Sequence, residues 1–351
     1  MRIVLLGGAG YLGSVASHHL ASRGHHVTVV DGLIYRRGDD PAELLPAAAR
    51  FVPGDLRDRS LLTRVADGAD VVVHLGGIVG EPASRVDERL AVELNYASPM
   101  IAAEAAAAAG AGHYVFFSSC SVYGRHEGTV DEDTDPNPLG IYARTKVLAE
   151  RRLPAVLGDG TALTSLRLAT VHGASPRQRL DSVVNSMASR AASTGRIPLN
   201  GGSQRRPLVH VGDVARVLAA VVEQRLVGAW NVGADSENFT IGEIAETVAA
   251  VVPGAVIDRG QERDEADARD YRTSFARLER ALPGVCSTTL KEGVREIADL
   301  VLTGRVSDPV LPQYDNHRGL VAAVSAGTLG RAGGADCARF AAEYDAAWSA
   351  R

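Results

Sequence analysis

The first half of the chain alternates between short apolar runs and amphipathic stretches. The runs are rich in β-branched or aromatic residues and are bounded by Gly, Asp or Ser: Ile3–Leu6, Val27–Val30, Val71–His74, Tyr114–Ser118 and Ser165–Leu168. They predict buried strands. Helical patterns lie between them at Leu12–Ser22, Leu61–Ala66, Glu88–Ala109 and Tyr142–Leu157. This alternation predicts a parallel sheet with helices on both faces, in which ligands bind at the carboxyl ends of the strands.

A glycine-rich turn follows the first predicted strand and opens the first predicted helix. Gly7, Gly10 and Gly13 are spaced as Gly-x-x-Gly-x-x-Gly, with Tyr11 and Leu12 inside the turn. A tight turn needs a residue that accepts positive φ, and a pyrophosphate can approach only where there is no Cβ. The helix N-terminus adds free N–H groups that bind the anion. In a strand–turn–helix context this spacing predicts a dinucleotide site.

The ends of the next three strands extend the predicted cofactor site. Asp31, followed by Gly32, closes the second strand, where a carboxylate accepts the ribose hydroxyls of adenosine and repels a 2′-phosphate. This favours NAD over NADP, although Arg36 and Arg37 could meet a phosphate. Asp55 and Leu56 follow the third strand, and Leu75, Gly76 and Gly77 follow the fourth. We expect all five in the same crevice.

The second half is less regular. Residues 171–207 are punctuated by Pro and Gly around a predicted helix at Leu180–Ser193, and Leu208–Val232 has the pattern of a strand, a helix and a strand that rejoin the sheet. A capping box at Thr240–Glu243 opens a helix that Pro253 ends. We predict a doubly wound, Rossmann-type α/β fold with a smaller mixed C-terminal lobe. Residues 1–170 form the dinucleotide-binding domain, rejoined by about 208–233; 171–207 and 234–308 form the substrate lobe, and 309–351 an extension of unknown role.

Composition bears on partners and location. The formal net charge is -5 and there is no dense Lys/Arg block, which argues against nucleic acid. Cys120, Cys286 and Cys337 are far apart, which argues against a disulfide framework or a metal site. No apolar stretch approaches membrane-spanning length, and the N-terminal run is too short for a signal peptide. We therefore expect a soluble, cytoplasmic protein with no membrane partner.

Tyr142 and Lys146 are candidates for acid–base chemistry. Their i, i+4 spacing places both side chains on one face of a helix. A tyrosine acting as a base near neutral pH needs a pKa about 3 below its usual value, a preference for phenolate of roughly 4 kcal/mol. A neighbouring ammonium and a cationic nicotinamide ring both shift the pKa in that direction. A chance surface pair is the alternative explanation.

A serine-rich segment follows the fifth predicted strand. Ser118 and Ser119 begin it, and a hydroxyl there can hold the oxygen that Tyr142 protonates or deprotonates. Serines at a strand end otherwise satisfy the backbone of a turn. The order of glycine turn, acidic second strand, serine-rich fifth strand and Tyr/Lys helix favours a catalytic site over these separate explanations.

These motifs together resemble the extended short-chain dehydrogenases/reductases of the NAD-dependent epimerase/dehydratase group, over residues 1 to about 300. The family motif Ser-Ser-x-x-Val-Tyr-Gly implies Ser119 as the catalytic hydroxyl, with Ser118 beside the cofactor. Tyr-x-x-x-Lys implies Tyr142 as acid/base and Lys146 as ribose anchor. The family's Asp-Leu pair implies that Asp55 and Leu56 contact adenine.

The resemblance also implies a nucleotide-diphosphate sugar as substrate. Arg206 opens a segment like the family's Arg-(x)3-His-Val signature, whose Arg pairs with the diphosphate, and Asn185 occupies a position like its diphosphate-contacting Asn. Guanidinium groups suit a diphosphate because they donate in pairs. Thr170 and His172 depart from the family pattern at a position that often contacts the substrate. Further candidates for substrate contact are Ser119, Ser121, Tyr142 and Arg269, with Arg177, Arg179 and Arg263 weaker.

Two residues bear on the reaction. Cys120 and Ser121 occupy the slots where the family's sugar-nucleotide dehydratases carry Asp-Glu, and its decarboxylases keep a Glu in the second slot. Both reactions are therefore disfavoured. Cys120 is either a proton donor or a small apolar filler. This leaves a C4 epimerase working through a transient 4-keto sugar, which we favour because Asp31 favours NAD, or an NAD(P)H-dependent 4-ketoreductase. A sensor that binds the cofactor without turnover is a third alternative.

The resemblance implies a homodimer. In it the helices predicted at Glu88–Ala109 and Tyr142–Leu157 pair with their copies in a four-helix interface.

Overall fold

The computed structural model describes residues 1–35, 40–199, 201–260 and 269–349. The strands are β1 Arg2–Leu6, β2 His26–Asp31, β3 Arg50–Pro53, β4 Val71–His74, β5 His113–Ser119, β6 Arg125–Val130, β7 Ala162–Leu168, β8 Thr170–His172, β9 Arg196–Leu199, β10 Arg205–His210, β11 Gly228–Val232, β12 Asn238–Thr240, β13 Val256–Arg259 and β14 Asp270–Thr273. The helices are α1 Tyr11–Ser22, α2 Arg59–Ala66, α3 Glu81–Ser84, α4 Glu88–Val92, α5 Ser98–Ala108, α6 Ile141–Leu157, α7 Val183–Thr194, α8 Val211–Gln224, α9 Ile241–Val251, α10 Ala276–Ala281, α11 Leu290–Leu302, α12 Asn316–Ser325 and α13 Ala335–Trp348.

A seven-stranded parallel sheet is the centre of the molecule. Its order is β11-β7-β5-β4-β1-β2-β3. Side chains of α1 and α8 join the apolar core on one face, and those of α2, α5 and α6 join the core on the other. The doubly wound prediction is confirmed. The reversal of strand order between β1 and β4 creates the crevice at the carboxyl edge of the sheet.

The second lobe is built on smaller sheets and on α7, α9 and α11. The expectation that the strand–helix–strand segment at Leu208–Val232 rejoins the main sheet is correct only for β11. β10 instead pairs in parallel with β8 and antiparallel with β12. It therefore belongs to the layer that faces the cavity from the lobe side. The proposed domain boundaries remain a prediction.

The helix predicted at Glu88–Ala109 is interrupted. Between α4 and α5 the segment Glu93–Ala97 is a π-helix, a feature that often marks a functional site. Asn95, within it, accepts a hydrogen bond from the Ile78 N–H at 2.7 Å and donates one to the Ile78 carbonyl at 2.9 Å. The side chain of Asn95 thereby fixes the loop that follows β4.

The C-terminal extension folds back over the main domain. Cys337, Phe340, Ala341 and Tyr344 of α13 are buried in the same core cluster as residues of α5 and α6. The chain's own last helix therefore occupies part of the surface of the helices that were predicted to pair in a dimer. The homodimer itself remains a prediction. No helix in the described ranges is long and apolar enough to cross a membrane.

Candidate active site

One cavity of about 1140 Å³ lies between the carboxyl edge of the sheet and the second lobe. Every residue predicted to bind the cofactor lines it: Gly7, Gly10, Tyr11, Leu12, Gly13, Asp31, Gly32, Asp55, Leu56, Leu75, Gly76, Gly77, Ser118, Tyr142 and Lys146. Ser119 lines it as well. The structure therefore brings together residues that are up to 139 positions apart in the sequence.

The glycine turn leaves no room for side chains at two of its positions. Gly7 has φ +83°, and a Cβ there would lie 2.5 Å from the Cα of Gly76. A Cβ on Gly13 would lie 2.5 Å from the Cα of Gly8. Any side chain at either position would push the turn away from the sheet. The close packing aims the N-terminus of α1 into the cavity, which fits the pyrophosphate of a dinucleotide.

Asp31 holds the turn as well as facing the cavity. Its carboxylate accepts hydrogen bonds from the N–H groups of Ala9 at 3.0 Å and Leu33 at 2.8 Å. Burial raises the pKa of Asp31, while these two hydrogen bonds oppose the rise. The carboxylate thus stands where the adenosine ribose was predicted. Arg36 and Arg37 lie outside the described residues.

The adenine end of the cavity is held by an ion-pair network that the sequence did not reveal. Arg57 donates to Asp55 at 2.7 Å and to Glu93 of the π-helix at 2.6 Å. The side chains of Arg57 and Glu93 are only 5% and 4% exposed, so neither charge can be satisfied by water instead. The network locks the position of Leu56 at the cavity wall.

The residues predicted to be catalytic lie together in the cavity. Ser119 is close enough to Tyr142 for a bond from its hydroxyl to bear on the pKa of Tyr142, and Ser119 accepts a hydrogen bond from the Ser121 N–H at 3.2 Å. Burial raises the pKa of Tyr142, whereas the bond from Ser119 and the positive charges of Arg179 and Arg269 lower it. Burial is the largest of these effects, and the negative charge of Glu81 acts with it against the phenolate.

Lys146 is fixed one helical turn beyond Tyr142. Its Nζ donates to the Phe117 carbonyl at 2.9 Å and lies 5.8 Å from the centroid of the Tyr142 ring. Burial lowers the pKa of Lys146 to about 8, with Glu150 acting in the opposite direction. The ammonium contributes positive charge beside Tyr142 only below that pH.

Glu81 caps the catalytic helix. Its carboxylate accepts hydrogen bonds from the N–H groups of Tyr142 at 3.4 Å and Ala143 at 3.2 Å. A Cβ at Gly140 would lie 2.1 Å from this carboxylate, so a side chain there would displace Glu81 from its capping position. The cap satisfies N–H groups that a helix start leaves open. Glu81 follows Gly80 in an unremarkable stretch of sequence, and no local signal pairs it with α6.

A buried polar network ties β5, α6 and β7 together behind the catalytic residues. Glu150 accepts hydrogen bonds from Ser118 and from Arg167, the latter at 2.7 Å. Arg167 donates onward to the Tyr123 hydroxyl at 2.9 Å, which donates to Asn231 at 2.7 Å. Ser118 also lines the cavity, so the network connects the buried Glu150–Arg167 ion pair to the candidate active site.

Four predicted site residues lie outside the cavity lining. Asn185 is fully buried, and its side-chain amide makes hydrogen bonds within the protein. It accepts one from the Gly173 N–H and donates to the Arg179 carbonyl and the Tyr11 hydroxyl. His172 packs against His210, and burial lowers the pKa of His172 to about 3. Ser121 and Cys120 are buried behind the strand end. Asn185 and His172 therefore position the lobe in this structure, and the sequence pattern could not separate that role from ligand contact.

Cys120 is a core residue. Its thiol is fully buried and donates to the Arg167 carbonyl at 3.2 Å, and burial raises the pKa of the thiol. We expect Cys120→Ala to leave the turnover number within about threefold of wild type, because a buried neutral thiol behaves as a small apolar side chain. Ser119→Ala is the matched comparison and should lower turnover about 10²-fold, through loss of a hydrogen bond at the reacting oxygen. Steady-state kinetics of both variants tests the assignment; equal losses would return Cys120 to the catalytic group.

The lobe side of the cavity is rich in arginine. Thr170, Arg177, Arg179, Arg206 and Arg269 all line it. Arg206 donates to the Arg269 carbonyl at 2.5 Å, which joins the two segments that carry these charges. Arg179 pairs with Asp181. The predicted Arg263 lies outside the described residues. The arrangement offers guanidinium donors on the lobe side of the cavity, as a second phosphorylated ligand requires.

Comparison with known proteins decides the family. The model of the NAD dependent epimerase/dehydratase family matches residues 3–233. The chain belongs to this family. A UDP-glucose 4-epimerase of Azospirillum brasilense is 30% identical over 74% of this chain and 80% of its own length. A dTDP-glucose 4,6-dehydratase of Streptomyces niveus is 28% identical over 78% of this chain and 84% of its own.

Among solved structures, MoeE5 in complex with UDP-glucuronic acid and NAD is 29% identical, with a TM-score of 0.74; the match covers 87% of this chain and 99% of that one. MoeE5 has also been solved with UDP-glucose and NAD. This family member is accordingly an extended short-chain dehydrogenase/reductase enzyme whose cofactor is NAD. Bound NAD supplies reversible hydride transfer and a positive charge on the nicotinamide ring. The glycine turn, Asp31 and Lys146 are the residues that would hold it.

Proposed function

We propose that this chain is a nucleotide-sugar epimerase acting at C4 through a transient 4-keto sugar, with NAD as its cofactor. The observation that carries the proposal is the convergence of Ser119, Tyr142 and Lys146 in one cavity with the cofactor cradle and the lobe arginines. Inverting C4 needs one acid/base group at the C4 oxygen and a bound hydride acceptor; Tyr142 supplies the first, and the cofactor cradle would hold NAD as the second.

The protein's own groups divide the work. Tyr142 accepts the proton of the C4 hydroxyl and returns it at the end, while Ser119 donates a hydrogen bond to the same oxygen. Lys146 holds positive charge near the Tyr142 ring and favours its phenolate. Arg206 and Arg269 hold the diphosphate, which leaves the sugar tethered at one end and able to present either face.

The slots that carry an acid pair in sugar-nucleotide dehydratases support epimerisation over dehydration. Here they hold Cys120 and Ser121, both buried and outside the cavity lining. Elimination of water needs a second acid/base pair on the sugar, and neither side chain reaches it. The similarity of this chain to a 4,6-dehydratase is therefore not a reason to propose dehydration as its reaction.

The substrate class follows from the same cavity. We propose a nucleotide-diphosphate hexose or hexuronate, because the lobe supplies several guanidinium groups. MoeE5 has been solved with UDP-glucuronic acid and with UDP-glucose, which makes the corresponding UDP sugars the first candidates.

The test uses the purified protein without added cofactor. We expect denaturation to release NAD, and the native protein to convert UDP-glucose or UDP-glucuronic acid to its C4 epimer, as followed by NMR of the anomeric proton. dTDP-glucose serves as the second nucleotide. A protein that turns over only a 4-keto sugar, with consumption of added NAD(P)H, would overturn the epimerase in favour of the reductase.

A further inference from the structure

The C-terminal extension crosses the open side of the cofactor cavity. We call residues 312–332 the strap. At its start, Tyr314 is buried in the core of the second lobe, and its carbonyl accepts a hydrogen bond from the Leu180 N–H at 2.7 Å. At its end, the Gly330 carbonyl accepts from Arg57 at 2.9 Å, and Ala332 donates to Glu93 at 2.8 Å. The strap is thus anchored on the lobe and on the adenine-side network.

Between these anchors, α12 packs against both walls of the cleft. Leu320, Ala323 and Leu329 form a cluster with residues of the loop and helices that follow β4: Ile78, Ala83, Leu90, Ala91 and Leu94. Ile34 and Tyr35, which follow β2, pack on the same cluster. Gly319 lies so near Tyr35 that a Cβ would be 3.0 Å from its ring. The helix therefore closes the gap between the loops that flank the adenosine half of the cofactor site.

The strap also contributes directly to the cavity lining. Asn316 and Leu329 both line it beside the residues assigned to the cofactor. Asn316 is 4% exposed, and its Oδ1 has no hydrogen-bond partner within the described ranges. A buried amide oxygen without a partner is unfavourable. Its position at the cavity wall indicates that a bound ligand donates to it.

Part of this chain has no counterpart in MoeE5. The match to MoeE5 covers 99% of that protein but only 87% of this one. What the strap does therefore follows from the contacts that this chain itself makes.

We propose that the strap completes the NAD site: Leu329 and α12 close the adenosine half of the cleft, so that NAD leaves only when α12 detaches. The inference rests on the NAD-binding part of the proposed function and is independent of which sugar reaction follows. Local detachment of a packed segment then sets the dissociation rate of NAD, as closing segments do in other enzymes.

The test measures NAD exchange, with no substrate present. The holoenzyme, loaded with NAD if it is purified without it, is mixed with excess isotopically labelled NAD, and bound label is followed by mass spectrometry after rapid desalting. Leu320 is fully buried in the cluster, whereas its neighbour Val321 is 40% exposed. We expect Leu320→Asp to speed exchange at least about tenfold and Val321→Asp to leave it within about twofold, because only the first unseats α12.

Leu329→Ala is the milder second variant, in case Leu320→Asp does not fold. It removes cavity-lining apolar surface and should speed exchange about fivefold with no change in far-UV circular dichroism. If NAD exchange is unchanged in Leu329→Ala and in any folded Leu320→Asp protein, the proposal that the strap limits NAD dissociation is wrong. Because no sugar is used, failure of C4 epimerisation leaves this result unaffected, and a strap failure leaves the epimerase test unaffected.

Discussion

We expect the Tyr142→Phe enzyme to turn over about 10³-fold more slowly than wild type, because it lacks the hydroxyl that we propose as the acid/base group at the reacting oxygen. The ring and its packing remain, so the change should cost at most about 1 kcal/mol of stability. The loss should therefore appear in the turnover number, with NAD content and thermal unfolding close to wild type.

Tyr344→Phe is the matched control. It makes the same chemical change on α13, in the core outside the cavity lining, and should leave turnover unaltered. Epimerisation of UDP-glucose or UDP-glucuronic acid, measured for both variants at saturating substrate, gives the comparison. A Tyr142→Phe enzyme with a tenth or more of wild-type turnover would remove Tyr142 from its assigned role.

The second large effect is on stability. We expect Glu150→Met to lower the free energy of unfolding by about 3–5 kcal/mol, because it leaves the buried guanidinium of Arg167 without its carboxylate. The two side chains are only 9% and 8% exposed, so water does not replace the missing partner. Urea denaturation of wild type and variant after removal of NAD measures the change without a contribution from ligand binding.

The double variant Glu150→Met/Arg167→Met separates an ion-pair effect from simple loss of packing. With both charges removed, much of the stability should return, since replacing a buried pair by apolar side chains is often close to neutral. Recovery will be incomplete, because Arg167 also donates to Tyr123 and to the Glu132 carbonyl. If Glu150→Met lowers the free energy of unfolding by less than about 1 kcal/mol, the Glu150–Arg167 ion pair is not a major source of stability.

Much of the site could be predicted because its signals are local. Gly7 and Gly13 stand where the backbone leaves no room for a side chain. Tyr142 and Lys146 are recognised by the i, i+4 spacing that places them on one face of a helix. The structure places all four in one cavity. Residues that act from elsewhere in the chain were missed: Glu81 caps α6 across 61 positions, and Arg57 meets Glu93 across 36.

Three of the predicted site residues lie outside the cavity lining for related reasons. Asn185 and His172 were predicted to contact the substrate because polar residues in a family-like segment suggested it. In the structure the Asn185 amide bonds to two backbone groups and to the Tyr11 hydroxyl, and His172 is buried against His210. A sequence shows which polar groups exist but not which of them the chain itself satisfies. Cys120 was left open between two roles for the same reason, and burial now favours the apolar one.

The sequence by itself determined the doubly wound sheet, the order of its motifs and the residues of the cofactor cradle, because periodicity, turn chemistry and i, i+4 spacing act over a few neighbouring residues. Tertiary structure alone decided where the C-terminal extension goes. Its two helices have no motif, and their positions follow from apolar side chains such as Phe340 and Leu320 finding surfaces more than two hundred residues earlier in the chain. Such docking depends on shape and buried area between distant segments, which no local pattern encodes.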